Sequence, residues 1–242
     1  MFQNAQRLIY SPLCVIKTDI NQRMNTKTTI DSANEFAQNY DDYIQNCHWI
    51  GTDILFGLMY EYIKSNQTIL DIGIGTGLSS MLFKQFGLTI YGIDGAMEMI
   101  KVCQDKRLAE GILQIDLAKD NEWFEDKIFD HAVSHGVFHL IGDLKYIFKQ
   151  TSLILDKNGC FGFTYEEMQD SEDEYKESSI PGLFERQNLQ SGIKVFRHTD
   201  KYIFELMKLN GFQLLKKTEF LAFVDSYTKE KTYFNVVISK RN

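Results

Sequence analysis

Thr68-Ile-Leu-Asp71-Ile-Gly73-Ile-Gly75-Thr-Gly77, followed by Ile93-Asp94-Gly95 with its acid seventeen residues after Gly77, decides how this chain folds. A short apolar strand ends in an acid and a glycine-rich turn follows. A second apolar strand then ends in another acid. That order describes the ligand-binding edge of a nucleotide-type α/β sheet, where glycines let the backbone bend tightly and approach a ligand. An acid after the second strand is placed to accept hydrogen bonds from ribose hydroxyls. The glycines run G-x-G-x-G, whereas a dinucleotide fingerprint runs G-x-G-x-x-G with the pyrophosphate on a helix N-terminus. Asp71, two residues before the first glycine, suits a cationic ligand better than a pyrophosphate.

Working outward, apolar strands and amphipathic helices alternate. Strands are expected at 67–71, 88–94, 112–116, 128–134 and 160–165. Helices are expected at 77–86, 97–109 and 143–155. This alternation implies a mainly parallel, doubly wound sheet with helices on both faces. Upstream, Asp31-Ser32 is read as capping a helix with Phe36, Tyr40, Tyr43 and Ile44 on one face. A second apolar helix is expected from Trp49 to Lys64. After Tyr165 the rhythm breaks into an acidic, irregular stretch over 166–197. A helix then covers 199–209, ending at Asn210-Gly211, and two strands close the chain at 212–224 and 232–239.

The segment Asp71–Gly77 resembles motif I of the class I S-adenosylmethionine-dependent methyltransferases. The resemblance covers residues 36–165 by motif and 199–240 by architecture. It implies a Rossmann-like seven-stranded sheet with an antiparallel C-terminal strand. It also implies S-adenosylmethionine as cofactor, with Asp71, Gly73, Gly75 and Gly77 around the methionine moiety. By the same resemblance Asp94 takes the ribose hydroxyls, with Gly95 and Met99 beside them. Many family members carry a bulky residue at the position of Gly95 to cover the adenine, a role that would here pass to Ile93 or Leu117. Asp116 and the Leu117 N–H resemble the pair that reads the adenine edge. Ser134 and His135, at the tip of the fourth strand, would face the methionine half and the acceptor. His139 matches a histidine that usually packs in the core. Tyr40 resembles a tyrosine that folds over the cofactor's amino-acid end.

Methyl transfer from a sulfonium is a direct displacement, so alignment and water exclusion matter more than an invariant catalytic group. His135 is the one candidate base. His135 and His139 lack a third nearby ligand, so no metal is expected. No Asn-Pro-Pro-Tyr, Asp-Pro-Pro-Tyr or Pro-Cys element follows the fourth strand, which argues against nucleic-acid amines and cytosine carbon as acceptors. A formal charge of −7 over 242 residues also disfavours a broad nucleic-acid surface. A small-molecule acceptor is the expectation. The alternatives are a protein acceptor, a non-catalytic methyltransferase-like partner subunit and an NAD-dependent oxidoreductase.

Composition is that of a globular protein, 44% hydrophobic with 18 Phe and 12 Tyr, and it does not separate core aromatics from pocket aromatics. No apolar run reaches the ~18 residues of a membrane helix. The four cysteines form no C-x-x-C pair, which fits reduced thiols and a cytoplasmic location. Residues 1–30 read as a loosely ordered extension without a secretory cleavage site, and Met24 as a possible alternative start. Residues 31–242 read as a single domain with 166–197 as a lid-like insertion.

Overall fold

The computed structural model describes residues 28–119, 122–124, 127–169, 174–188, 192–224 and 231–242. The expectations for residues 1–27, the Met24 start among them, lie outside these. Three helices precede the sheet: α1 (Thr29–Phe36), α2 (Tyr40–Asn46), joined to it by one 3-10 turn, and α3 (Gly51–Met59). The cap of α1 is Thr28, three residues before the expected Asp31-Ser32. Its hydroxyl accepts the Asp31 N–H at 3.1 Å while Asp31 receives the Thr28 N–H, a reciprocal capping box. Helix α3 stops at Met59, short of the expected Lys64.

The alternating region then gives β1 (Thr68–Ile72), α4 (Met81–Phe86), β2 (Thr89–Asp94), α5 (Met97–Asp105), β3 (Gly111–Gln114), β4 (Phe129–Ser134), α6 (Lys145–Ile154) and β5 (Leu155–Tyr165). Beyond it come β6 (Lys176–Glu177), β7 (Leu183–Gln187), β8 (Lys194–His198), α7 (Asp200–Leu209), β9 (Phe212–Val224) and β10 (Lys231–Arg241). The main sheet has seven strands in the order β3-β2-β1-β4-β5-β10-β9. Strands β1 to β5 run parallel, and β10 inserts antiparallel between β5 and β9. All five parallel strands therefore present their carboxyl ends to one edge, where ligands bind in open α/β sheets.

Apolar residues pack on both faces of this sheet. Phe138, Phe148, Phe161, Phe163 and Phe212 fill the layer under α6 and α7, while Leu55, Met59, Phe83 and Ile90 fill the other. Ile93 belongs to the first layer and is fully buried. The stretch expected to be irregular contains order instead. Strands β6, β7 and β8 form a separate antiparallel sheet, with Leu183 opposite His198 and Gln187 opposite Lys194.

Candidate functional site

Between β1 and α4 the chain must reverse in few residues. Gly73, Gly75 and Gly77 do so with φ of +80°, +54° and +85°, a region that side chains other than glycine rarely adopt. The three then serve different ends. A Cβ on Gly77 would meet Leu108 and Cys103 at 2.6 and 2.8 Å, so this residue lets the turn press against the α5 segment. A Cβ on Gly73 would meet Val137 at 2.4 Å. Among the described residues Gly75 has no neighbouring atom within 4 Å of where its Cβ would stand, and neither has Gly136 after β4, which also has positive φ. Both border a cavity of about 460 Å³ at the carboxyl edge of the sheet, within the ~300–1,000 Å³ usual for small-molecule sites.

Asp94 closes the turn from the neighbouring strand. One carboxylate oxygen accepts the Gly75 N–H at 2.8 Å and the other the Ala96 N–H at 2.8 Å. Burial raises its pKa against these bonds. Asp71 is more deeply placed, with no exposed surface. Its Oδ2 accepts the hydroxyls of Ser79 and Ser80 at 2.6 and 2.7 Å, and its Oδ1 has no hydrogen-bond partner among the described residues. Burial pushes this carboxyl up to about 6. The turn is thus built around a buried carboxylate with one of its two oxygens hydrogen-bonded within the described residues, a surrounding that a cationic group complements.

The sign of this shift gives a measurable outcome. Below its unfolded value near 3.8 Asp71 is protonated whether the chain is folded or not. Between that pH and about 6 the unfolded chain releases the proton first, so stability falls as pH rises through this window. Asp71→Asn is therefore expected to melt higher than the parent at pH 7.5, by up to about 3 kcal/mol in stability, and to melt alike at pH 4. Equal melting temperatures at both values would show that the carboxylate carries no such strain.

The N-terminal helices roof the cavity. Thr28, Ile30, Phe36, Tyr40 and Ile44 all line it. Three polar ties hold them down. Asn34 Oδ1 accepts the Glu98 N–H at the start of α5 at 2.9 Å. Asp41 accepts the Thr76 hydroxyl at 2.6 Å and pairs with Lys106. Lys106 also donates to the Thr76 carbonyl at 2.8 Å. Tyr40 sits close to Asp41, Asp94 and Asp71, and burial first, then these charges, push its hydroxyl up to about 12. The Cδ1 of Ile30 lies 2.6 Å from where a Gly95 Cβ would stand. The side chain that covers this corner thus comes from α1, not from Ile93, which is in the core.

At the opposite end the cavity is aromatic. Trp49 stacks on Phe223 (centroids 5.1 Å apart, planes at 21°) and meets Phe220, Phe234 and His135 edge to face. Burial holds His135 down to about 4 and His139 to about 3, so both are neutral. His139 stands edge-on to Phe234 at 5.4 Å, and its Nδ1 lies 3.8 Å from Glu166. Glu166, directly after β5, forms a buried ion pair with Arg197 of β8. Arg197 and Arg186 lie against the Tyr175 ring, at 4.6 and 4.7 Å from its centroid.

Of the residues singled out in the sequence, Tyr40, Gly73, Gly75, Asp94, Gly95, Met99, Asp116, Leu117 and His135 line this one cavity. Asp71, Gly77 and Ser134 stand behind its wall. Ser134 is buried, and its hydroxyl donates to the Ile72 carbonyl at 2.9 Å, joining β4 to β1. Met99 also packs among Ala37, Ala96 and Ile30. Sequence reasoning passed over Ile30, Trp49, Phe223 and Phe234, all cavity residues. Among the described residues no three His, Cys, Asp or Glu side chains stand together as a metal site, and no helix is long and apolar enough to cross a membrane.

A seven-stranded sheet of this order, with the glycine turn and two acids at its carboxyl edge, is the class I S-adenosylmethionine-dependent methyltransferase fold. Residues 70–163 match the family model described as a methyltransferase domain. Residues 70–163 are thus similar to a methyltransferase domain, and the sheet has the fold of that class. A ribosomal protein L11 methyltransferase from Fusobacterium nucleatum is 31% identical over 113 residues, covering 43% of this chain and 36% of that protein. The match thus spans little more than a third of that relative's length. Solved structures share the fold at lower identity. An S-adenosylmethionine-dependent methyltransferase from Methanosarcina mazei superposes with a TM-score of 0.62 at 19% identity, over 76% of this chain and 96% of that one. A Haloferax volcanii methyltransferase solved with the Trm112 methyltransferase activator gives 0.67 at 15%, over 88% and 97%. The magnesium protoporphyrin IX methyltransferase of Synechocystis PCC 6803, with bound cofactor, gives 0.60 at 14%, over 92% and 100%.

Proposed function

We propose that this protein transfers a methyl group from S-adenosylmethionine to a small-molecule acceptor. The observation that carries the reading is one cavity joining the Gly75 turn and Asp94 at one end to the aromatic wall of Trp49, Phe223 and Phe234 at the other. In this reading Asp94 receives the ribose hydroxyls, Asp116 and the Leu117 N–H receive the base, and the Gly73–Gly77 turn with Tyr40 receives the amino-acid end. Asp71 and Ser134 act from behind, fixing the turn and the β1–β4 edge. When bound, the cofactor supplies an activated methyl group with its own leaving group. The chain's part is to align the acceptor and keep water out. A roof of α1 and α2 over the cavity favours an enclosed small molecule over a protein surface as acceptor. The buried free thiols Cys103 and Cys160 fit a cytoplasmic location.

Calorimetric titration with S-adenosylhomocysteine and with NAD tests the cofactor, followed by labelled methyl transfer to a metabolite panel. Binding of the first alone is the expected result, and binding of NAD alone would overturn the proposal.

Two further outcomes follow. Gly95→Leu places a branched side chain where Ile30 already stands, and overpacking costs ~1–3 kcal/mol. The variant is expected to bind S-adenosylhomocysteine about tenfold more weakly, a loss of ~1.4 kcal/mol. Adding Ile30→Ala should restore most of it. Failure of the pair to compensate would remove Ile30 from the cofactor site. The second concerns residues 166–197 as an acceptor lid on the single domain 31–242. A lid exchanges with open states more readily than the central sheet. Amides of β7 and β8 are expected to exchange faster than those of β1 and β4 without ligand, and to slow when S-adenosylhomocysteine and an acceptor are both present. Protection equal to that of the central strands in the apo protein would defeat the lid.

A further inference from the structure

The acceptor half of the cavity defines a substrate class. Its walls come from four separate places: the turn before α3 (Trp49), the tip of β4 (His135), the end of β9 (Phe223) and β10 (Phe234). Trp49 ties them together, stacked on Phe223 and edge-on to the other two. Such an assembly offers flat apolar faces and ring edges, the geometry that offset-stacked and edge-to-face aromatic contacts need.

Charge in this half is already matched. Glu166 is the one carboxylate among the described residues lining it, and the Arg197 guanidinium holds that carboxylate in a buried ion pair. A cationic acceptor would have to compete with Arg197 for Glu166 and lie close to a buried guanidinium. An anionic one would have to displace Glu166 from Arg197. Either exchange leaves a buried charge uncompensated, which is strongly unfavourable. His135 and His139 offer hydrogen-bonding nitrogens without charge, since burial keeps both rings neutral. Among the described residues the Nδ1 of His139 has no hydrogen-bond partner, and His135 has the Gly51 backbone beside it.

Building on the cofactor reading above, we propose that the acceptor is a planar aromatic molecule, uncharged at neutral pH, inserted against Trp49, Phe223 and Phe234 with its polar substituent toward His135 and His139. The aromatic wall selects the ring, the paired Glu166–Arg197 end rejects ions, and the histidines orient the substituent.

A matched set of probes tests this: 2-naphthol, 2-naphthoate and 2-naphthylmethylamine share one ring system and are neutral, anionic and cationic at pH 7. Each is titrated calorimetrically into the full-length protein saturated with S-adenosylhomocysteine. 2-Naphthol is expected to bind at least tenfold more tightly than either charged analogue. Phe223→Ala should weaken it at least tenfold and leave S-adenosylhomocysteine affinity within twofold, and Phe223→Leu, which keeps the volume, should lose the aromatic part of the effect while folding normally. Tighter binding of a charged analogue, no binding of 2-naphthol, or 2-naphthol affinity within twofold of the parent in both variants would overturn the inference. The preliminary titration keeps the two readings apart. If S-adenosylhomocysteine binds and the naphthyl order fails, the acceptor class alone is wrong. If S-adenosylhomocysteine does not bind, the cofactor reading falls and the acceptor class with it.

Discussion

Asp94→Ala is expected to lower S-adenosylhomocysteine affinity by a factor of 100 or more. Hydrogen bonds to a charged group contribute ~1.5–3 kcal/mol each, and two ribose hydroxyls on one carboxylate give ~3–6 kcal/mol, of which each ~1.4 is tenfold. The geometry adds a second route to the same loss. Asp94 receives the Gly75 and Ala96 N–H groups at 2.8 Å, so its removal also frees the glycine turn that borders the cavity. Asp94→Asn separates the two contributions. An amide oxygen still accepts one backbone N–H, while the charge that strengthens ribose hydrogen bonds is gone. The asparagine variant should fall between parent and alanine in affinity and melt closer to the parent. Calorimetry and thermal melts on the three proteins suffice. Affinity within twofold of the parent in a cooperatively melting alanine variant would take Asp94 out of the site.

That this residue was legible in the sequence has a physical reason. The turn, its glycines and the acid of the next strand are constrained locally, because positive φ values and a strand-end carboxylate leave their mark on residue type and spacing. Asp116 and Leu117 follow the same logic one strand further on. Ile30 does not. Nothing in its surroundings within α1 distinguishes it from a core isoleucine, and its partner Gly95 is 65 positions away. Trp49, Phe223 and Phe234 share this difficulty. The chain has enough phenylalanine to fill both a core and a pocket, and only folding separates Phe148 and Phe161, packed under α6, from Phe223 at the cavity. The small sheet β6–β8 was illegible for a different reason. Its first strand is two residues long, and its others set apolar residues side by side (Leu183-Phe184, Val195-Phe196) instead of alternating them with polar ones. Tertiary pairing, not propensity, makes them strands.

The buried pair Glu166–Arg197 ties that small sheet to the main one, beside the His198 N–H on the Glu166 carbonyl and the His198 ring on the Gly142 carbonyl, and its rupture should cost most in stability. Arg197→Met is expected to destabilise the fold by ~3–5 kcal/mol, because removing one partner strands a buried charge. At ~2–4 °C per kcal/mol for a chain of this size, the melting temperature should drop by roughly 6–20 °C. The Tyr175 ring against the guanidinium, 4.6 Å from centroid to carbon, loses its cation–π contact as well. The double variant Glu166→Gln/Arg197→Met removes both charges, and the amide side chain is far cheaper to bury than a carboxylate. It should recover more than half of the loss. A double-mutant cycle by denaturant unfolding measures the coupling directly. Additive effects would mean that the two side chains are held independently, with apolar contacts such as Ile193 and Val195 keeping the sheet in place. Strong coupling would mean that opening the insertion entails separating a buried ion pair. The acceptor end of the cavity would then open only against that cost, and the rate of acceptor entry, not the alignment chemistry, would be the step most altered by the double variant.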